Sequence, residues 1–186
     1  TPTYMRMQCM RYRRADVKGG TYFFTVNLLE RNRTLLVDHV DVLRKVMREV
    51  KGRHPFQIDA MVILPDHLHA MWTMPEGDAD FPKRWMLIKA GFSRRISEGE
   101  PRSASRQAKG ERGIWQRRYW EHLIRDERDF AEHADYIHYN PVKHGHTCTL
   151  ANWPYSTFHE YVRRGIYPAG WGGDVTPDVV NSGFGE

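Results

Sequence analysis

The chain has 186 residues, 40% of them hydrophobic, and a formal net charge of +5 at pH 7. This length predicts one domain with additions at its ends, and the aromatic content is sufficient for a sizeable core. No apolar run approaches the length of a transmembrane helix and no signal-peptide pattern opens the chain, so we expect no membrane partner. The two cysteines, Cys9 and Cys148, form no C-x-x-C pair, which argues against a zinc ribbon or disulfide scaffold and favours a cytoplasmic location.

The positive charge favours an anionic partner, with nucleic acid ahead of membrane because the basic residues do not lie on one amphipathic helix. Residues 1–18 form a basic arm with interspersed tyrosines, a composition suited to phosphate contacts and base stacking. The candidate DNA-binding residues of this arm are Arg6, Arg11, Arg13, Arg14 and Lys18. The same composition also fits a frayed, solvated terminus.

The first elements after the arm alternate between strand and helix. A β-branched and aromatic run predicts a strand over residues 21–28. Apolar residues at helical spacing predict a helix that begins with Asp38 as its N-cap and ends near residue 51. Two further apolar runs, at residues 56–64 and 67–74, predict strands joined by a sharp turn at Pro65 and Asp66.

The second half begins with a helix predicted over residues 81–97. Its basic face is a candidate for lining a nucleic-acid groove and includes Lys83 and Arg84. Residues 98–113 contain no apolar residue larger than alanine and predict a mobile loop. A fourth strand and its approach follow within residues 114–124, and two more candidate contacts to the DNA backbone lie there, Arg117 and Arg118.

The last long helix is predicted from Asp126 to about residue 139, because the residue before Pro141 disfavours the helical conformation. Residues 146–186 form a tail rich in Trp, Tyr, Pro and Gly, with a short helix near residues 156–164, and we predict a DNA-binding or regulatory role for it. Its aromatic residues Trp153, Tyr155 and Phe158 could stack on bases or pack in the core.

The order strand, helix, strand, strand, helix, strand is that of a ferredoxin-like α+β sandwich. We therefore predict an antiparallel sheet with two helices on one face, which leaves the other face for the last helix or for a ligand. The core domain would span residues 19–145, between the basic arm and the C-terminal tail.

Two histidines open the third predicted strand. Side chains two residues apart in a strand point to the same face, so His67 and His69 can reach a single metal ion. Leu68 and Ala70 would then face the core. A pair of surface histidines on a half-exposed strand would show the same spacing.

The last long helix carries Tyr136 and Asn140, which lie four residues apart and so share one helix face. An asparagine oxygen can coordinate a hard cation, and a phenol can act as a nucleophile. A tyrosine packed in the core would fit the same pattern. The phenol proton would need an acceptor, and the nearby histidines could serve there or hold the structure, namely His122, His133 and His138.

Together these motifs resemble the single-tyrosine HUH nucleases, and within them the REP-associated tyrosine transposases, relatives of the smallest bacterial insertion-sequence transposases. His67-Leu-His69 followed by Tyr136-x-x-x-Asn140 carries the catalytic part of the resemblance. Five segments match in the right order, at residues 19–27, 64–69, 115–122, 135–145 and 153–158. Many insertion-sequence relatives carry Gln at the position of Asn140, so the shorter asparagine would need a closer backbone or a bridging water.

The resemblance implies a metal-dependent endonuclease and strand transferase that acts on single-stranded DNA beside hairpins formed by REP-type repeats. His67, His69 and Asn140 would hold Mg²⁺ or Mn²⁺, and Tyr136 would attack the scissile phosphate to form a 5′-phosphotyrosine link. No nucleotide cofactor is expected, in agreement with the absence of a P-loop pattern. The protein would be a monomer or homodimer in the bacterial cytoplasm, associated with the nucleoid.

Two other functions stay open on the sequence alone. Ferredoxin-like sheets also form non-catalytic nucleic-acid-binding modules, although the basic–Gly–aromatic motif of RNA-recognition domains is absent. A small zinc hydrolase can also use an H-x-H pair, but such sites normally draw further His or Asp ligands from a longer series of loops.

Overall fold

A computed structural model describes residues 16–97, 99–100 and 102–172 of the chain. The predicted DNA contacts Arg6, Arg11, Arg13 and Arg14 lie outside these ranges, as does the end of the predicted tail. The elements in chain order are β1 (Thr21–Asn27), α1 (Leu35–Asp38), α2 (Val40–Arg53), β2 (Gln57–Ile63), β3 (His67–Thr73), α3 (Phe81–Arg95), α4 (Ala104–Ala108), β4 (Trp120–Leu123), α5 (Glu127–Lys143), a 3₁₀ turn (Leu150–Asn152) and α6 (Phe158–Arg163).

The four strands form one antiparallel sheet in the order β2-β3-β1-β4. This arrangement confirms the predicted ferredoxin-like α+β fold. Strands β3 and β1 are central, so the elements that carry the two histidines and their neighbours are paired on both sides. None of the helices in the described ranges is long and apolar enough to cross a bilayer.

Helices α2 and α3 cover one face of the sheet, as predicted. On this face the alternating residues of β1 and β3 form a continuous apolar core, which includes Phe24, Leu68, Ala70 and Trp72. The indole of Trp72 stacks on Trp85 of α3 with ring centroids 4.1 Å apart. The opposite set of β1 and β3 side chains faces α5, which packs on β2 and β3. The sheet therefore separates an apolar layer from a layer that contains the histidines.

The beginning of the first long helix differs from the prediction. Asp38 is the last residue of α1 and does not cap α2, whose N-cap is His39 without a side-chain hydrogen bond. The carboxylate of Asp38 instead accepts a hydrogen bond of 2.6 Å from Thr34. The buried Leu36 anchors this extra turn, which the spacing of apolar residues in α2 did not reveal.

The predicted end of the last long helix is also wrong, because α5 continues through Pro141 to Lys143. Asn140 and Pro141 are both buried on this helix, so tertiary packing outweighs the local preference of the residue before proline. Gly145, with a φ of 69°, adopts the left-handed conformation that ends the helix. Asn140 therefore lies on the helix in register with Tyr136.

The segment predicted as a mobile loop contains the five-residue helix α4, which the sequence did not predict. Near the end of this segment, Arg112 donates hydrogen bonds to the backbone oxygen of Ile96 (2.8 Å) and to the carboxylate of Glu100 (2.7 Å), and so holds the segment against α3. The fourth strand lies within the predicted range, and residues 120–123 pair with β1 as a ladder.

Two helical glycines should respond in opposite ways to alanine. A Cβ on Gly91 of α3 would lie 2.8 Å from Cγ1 of Val46 on α2, and valine cannot turn away freely, so Gly91→Ala should destabilise the protein by about 1–2 kcal/mol. Gly52 has no atom within 4 Å of such a Cβ, so Gly52→Ala should stabilise it by about 0.5 kcal/mol. Thermal unfolding of both variants tests this. An equal gain for the two would show that α2 and α3 do not approach this closely at Gly91.

Candidate active site

His67 and His69 lie side by side on the α5 face of β3. Their ring centroids are 5.0 Å apart and their planes cross at 86°. Both are buried, with 1% and 0% of their surface exposed, which excludes the alternative of two surface histidines. Leu68 and Ala70 point into the core on the other face, as the strand alternation predicted.

Hydrogen bonds on Nδ1 orient both imidazoles. Nδ1 of His67 lies 2.7 Å from Oδ1 of Asp66, and Asp66 is held in turn by the guanidinium of Arg31. Nδ1 of His69 lies 2.9 Å from the hydroxyl of Thr25 on the neighbouring strand β1. A partner on one ring nitrogen fixes the ring and directs the other nitrogen, Nε2, towards a metal ion. Within the described residues, the buried Nε2 of His67 has no hydrogen-bond partner.

Burial favours the neutral imidazole of His67. Burial lowers the pKa of His67, and the Asp66 carboxylate opposes this only in part. Burial also raises the pKa of Asp66, but hydrogen bonds from His67 and Arg31 outweigh it and hold that pKa well below its usual range. The result is an ionised carboxylate beside a neutral ring, which is the form of histidine that binds metals.

Tyr136 of α5 packs directly on the second histidine. Its ring centroid lies 5.2 Å from that of His69 and 6.0 Å from that of Phe23, and the residue is 1% exposed. Lys143, two helical turns further along α5, places Nζ 3.4 Å from the Tyr136 hydroxyl and 4.8 Å from its ring centroid. The phenol oxygen therefore accepts a hydrogen bond from a cation.

Asn140 lies one turn beyond Tyr136 on the same helix. Its Nδ2 donates to the backbone oxygen of Tyr136 at 2.9 Å, while its buried Oδ1 accepts no hydrogen bond within the described part of the chain. Tyr136 contacts His69, and His144, one turn beyond Asn140, contacts His67 with ring centroids 5.2 Å apart. Asn140 lies between these two contacts along α5, on the helix face that packs against the histidine pair. The donor atoms thus fit the predicted ligand set of two imidazoles and one amide.

Comparison with known proteins agrees with this arrangement. The family model "Transposase IS200 like" matches residues 17–140. A REP-associated tyrosine transposase of Escherichia coli (strain K12) is 48% identical over 165 residues, which cover 89% of this chain and 92% of the relative. The chain belongs to the REP-associated tyrosine transposases of the IS200-like family.

Two further comparisons support this assignment. A putative REP-associated tyrosine transposase of Haemophilus influenzae is 44% identical and covers 92% of this chain and 97% of its own length. A solved structure of a REP-associated tyrosine transposase bound to a REP hairpin matches with a TM-score of 0.79 and 47% identity, over 94% of this chain and 96% of that chain. The protein is therefore a DNA transposase, and the predicted family and enzyme class are confirmed.

A second group of possible metal ligands lies in the transposase at the start of α5. Among the described residues, ligand atoms of His122, Asp129 and His133 lie within 4.8 Å of one another. The sequence analysis did not combine these residues. His122 and Arg125 donate to Asp129 at 2.9 and 3.1 Å, and against the effect of burial they lower its pKa to about 2. The ring of Phe23 contacts both His133 and His69 and so lies between this group and the histidine pair.

The predicted DNA contacts of the transposase differ in their surroundings. Arg84 is 3% exposed and donates to the Asp78 carboxylate and to three backbone oxygens, so it stabilises the start of α3 and is not available to DNA. Arg117 is exposed and pairs with Glu111 at 2.9 Å. The other predicted contacts in the described ranges are exposed, namely Lys18, Lys83 and Arg118.

The aromatic residues of the tail are used mainly for packing. Phe158 is 2% exposed, and the indole of Trp153 donates to the backbone oxygen of Ile63 at 3.0 Å. Tyr155 is half-buried, with the guanidinium carbon of Arg44 5.5 Å from its ring centroid. Core packing is therefore confirmed for Phe158. His138, which was a candidate proton acceptor, is buried, and its Nε2 forms a hydrogen bond of 2.8 Å with the hydroxyl of Thr157.

The residues that orient the site were not among those predicted from the sequence. Asp66 is adjacent to His67 and was read only as a turn residue, although its carboxylate holds that histidine. Thr25 follows the alternation of β1 and could be found once the register with β3 is known. Lys143 and Tyr136 are seven residues apart, a spacing that places side chains two turns apart on one helix face. Extending α5 beyond Pro141 would have revealed this pair.

Proposed function

We propose that this transposase is a metal-dependent endonuclease and strand transferase that cuts single-stranded DNA beside REP-type hairpins through a covalent phosphotyrosine. One observation supports this most directly. The ring of Tyr136 packs against that of His69, and the buried Nε2 of His67 and Oδ1 of Asn140 have no hydrogen-bond partner among the described residues. A nucleophile and a set of metal ligands would thus share one site.

His67, His69 and Asn140 would hold the ion, and their mixed nitrogen and oxygen donors suit Mn²⁺ or Mg²⁺ once phosphate oxygens are added. When bound, such an ion would act as a Lewis acid on the phosphoryl oxygens. Asp66 and Thr25 would keep the two imidazoles in orientation. The relative solved with a REP hairpin supports hairpin DNA as the substrate class.

Tyr136 would attack the scissile phosphorus in line. The bond between its phenol oxygen and phosphorus forms as the bond to the 3′-oxygen breaks, so the 5′-phosphate stays on the protein and a 3′-hydroxyl is released. The phenol proton passes to solvent, and the leaving 3′-oxygen takes up a proton. Attack by a 3′-hydroxyl on the phosphotyrosine reverses these steps and reseals the strand, which requires no nucleotide cofactor. Because Tyr136 is 1% exposed, entry of DNA must open the site locally.

Lys143 would assist Tyr136 by charge. Its ammonium group donates to the phenol oxygen, and the same positive charge would stabilise the negative phosphoryl group that reaches this oxygen in the transition state. Lys143 is thus a second side chain that contacts a reacting atom.

Replacing Lys143 tests this role. Lys143→Met should lower the single-turnover cleavage rate by about 10²-fold, while Lys143→Arg should retain most of it, since the charge is preserved. Lys51→Met, an exposed lysine on α2 at the other face of the sheet, is the matched control. Equal rates for Lys143→Met and Lys51→Met would exclude the charge of Lys143 from the reaction.

A cleft between α3 and residues 110–119 is the proposed path for the DNA backbone. It encloses about 680 Å³, and its walls are joined by Lys89, which donates to the backbone oxygen of Gln116 at 2.6 Å. Among the described residues that line it, one is acidic, Glu111, and five are basic. The basic residues are Lys89, Arg94, Arg106, Arg112 and Arg117. Arg94 is exposed and lines the cleft, and we propose it as a phosphate contact. The cytoplasmic location and the monomer or homodimer stay predictions.

The function is tested by incubating the protein with a single-stranded oligonucleotide that carries a REP-type hairpin and unpaired flanks, in the presence of Mn²⁺. We expect a protein–DNA adduct that survives denaturing electrophoresis, together with a fragment that ends in a 3′-hydroxyl. Binding without an adduct would favour the non-catalytic nucleic-acid-binding module. Cleavage without an adduct would favour hydrolysis by a metal-bound water.

A further inference from the structure

Asn27, the last residue of β1, lies directly opposite His67 in the antiparallel register between β1 and β3. Side chains at opposite positions of an antiparallel pair project from the same face, with Cβ atoms about 4.5–5.5 Å apart. The next pair on this face, Thr25 and His69, is joined by a hydrogen bond of 2.9 Å. Asn27 is therefore a neighbour of the histidine that opens the proposed metal site.

The amide of Asn27 resembles the proposed ligands in a second way. The residue is 9% exposed, and its buried Oδ1 has no hydrogen-bond partner among the described residues. The same is true of Nε2 of His67 and Oδ1 of Asn140. A buried acceptor without a partner costs about 1–3 kcal/mol, and one bound cation would provide a partner for all three atoms. Each of the three is of a type that binds divalent cations.

We propose that Asn27 supplies a further oxygen ligand to the ion held by His67, His69 and Asn140. This inference rests on the proposed function, since it extends the same metal site to strand β1. Two imidazole nitrogens and two amide oxygens form a harder donor set than the histidines alone, which favours Mn²⁺ or Mg²⁺ over Zn²⁺. A six-coordinate ion would keep two positions for phosphate oxygens or water. Asn140 would then not carry the amide coordination alone.

Mn²⁺ affinity of the full-length protein without DNA tests the proposal independently of catalysis. The free Mn²⁺ signal in electron paramagnetic resonance reports how much ion is bound. Asn27→Ala should weaken Mn²⁺ binding by about 10-fold or more, while Asn27→Asp, which replaces the amide by a carboxylate of the same size, should bind Mn²⁺ more tightly than the wild type. Asn152→Ala, at an exposed asparagine of the 3₁₀ turn, is the matched control.

His67→Ala separates the two levels of the proposal. If His67→Ala weakens Mn²⁺ binding and Asn27→Ala does not, Asn27 is not a ligand and the proposed metal site stands. If neither variant weakens it, the metal site itself is wrong. If Asn27→Ala fails to fold, Asn27→Asp carries the test. Tighter binding than that of the wild type then supports coordination, because a structural defect would not strengthen it. Binding equal to or weaker than that of the wild type overturns it.

Discussion

Tyr136→Phe should abolish the covalent protein–DNA adduct and lower strand cleavage by at least about 10⁴-fold, because it removes the proposed nucleophile. The substitution deletes one hydroxyl and keeps the ring, which packs on His69 and Phe23. We therefore expect unchanged affinity for hairpin DNA and for Mn²⁺. Denaturing electrophoresis of labelled DNA measures the adduct, and single-turnover kinetics measure cleavage.

Tyr139 provides the matched control for this experiment. It lies three residues further along α5, and its side chain is partly buried against the same apolar cluster. Tyr139→Phe should form the adduct at the wild-type rate. Loss of the adduct in Tyr139→Phe together with its retention in Tyr136→Phe would assign the nucleophile to Tyr139. Retention in both variants would rule out a tyrosine of this helix as the nucleophile.

The sequence was sufficient to predict the strands because they are runs of apolar, β-branched and aromatic residues bounded by turn residues. Leu68 and Ala70 alternate with His67 and His69, and the structure places the two pairs on opposite faces. The same reasoning places Tyr136 and Asn140 on one helix face. Periodicity describes which residues share a surface, and for this reason it identified the central residues of the site.

Properties that depend on pairing between elements were not predictable in this way. The hydrogen bond between Thr25 and His69 follows from the register of β1 with β3, which no local pattern specifies. Composition likewise does not distinguish a buried basic residue that stabilises the fold from a basic residue exposed to solvent. Arg84 looks like part of a DNA-binding face in the sequence, yet its guanidinium is buried and bonded to Asp78.

The continuation of α5 past Pro141 also determines which residues reach the candidate active site. Had the helix ended before Pro141, Lys143 would not lie two turns beyond Tyr136, and His144 would not lie one turn beyond Asn140. Because it continues, one helix presents Tyr136 to His69 and His144 to His67, with Asn140 between these two contacts along the helix. The proposed nucleophile, a proposed ligand and the cation that bonds to the phenol thus share one rigid element, which would preserve their mutual distances when DNA enters.

His67→Ala should lower cleavage by more than about 10²-fold, because it removes a proposed ligand whereas loss of a ligand's partner alone typically costs 10–100-fold. It would also leave the Asp66 carboxylate facing the space of the missing ring. Raising the Mg²⁺ concentration should restore little activity, since the site would lack a donor atom at any concentration. Cleavage rates across a Mg²⁺ titration measure this effect.

Asp66→Asn should show the contrasting behaviour, because it keeps every proposed ligand and only weakens the orientation of His67. We expect Mg²⁺ affinity to fall by about 10–100-fold and cleavage to recover at high Mg²⁺. His159→Ala, which removes an exposed histidine bonded to the backbone of Trp153, should behave as the wild type. The expected order of loss is therefore His67→Ala, Asp66→Asn, His159→Ala. Full recovery of cleavage by His67→Ala at high Mg²⁺ would show that His67 orients the site without binding the ion. Full activity of the wild-type protein without added metal would show that the reaction needs no metal ion.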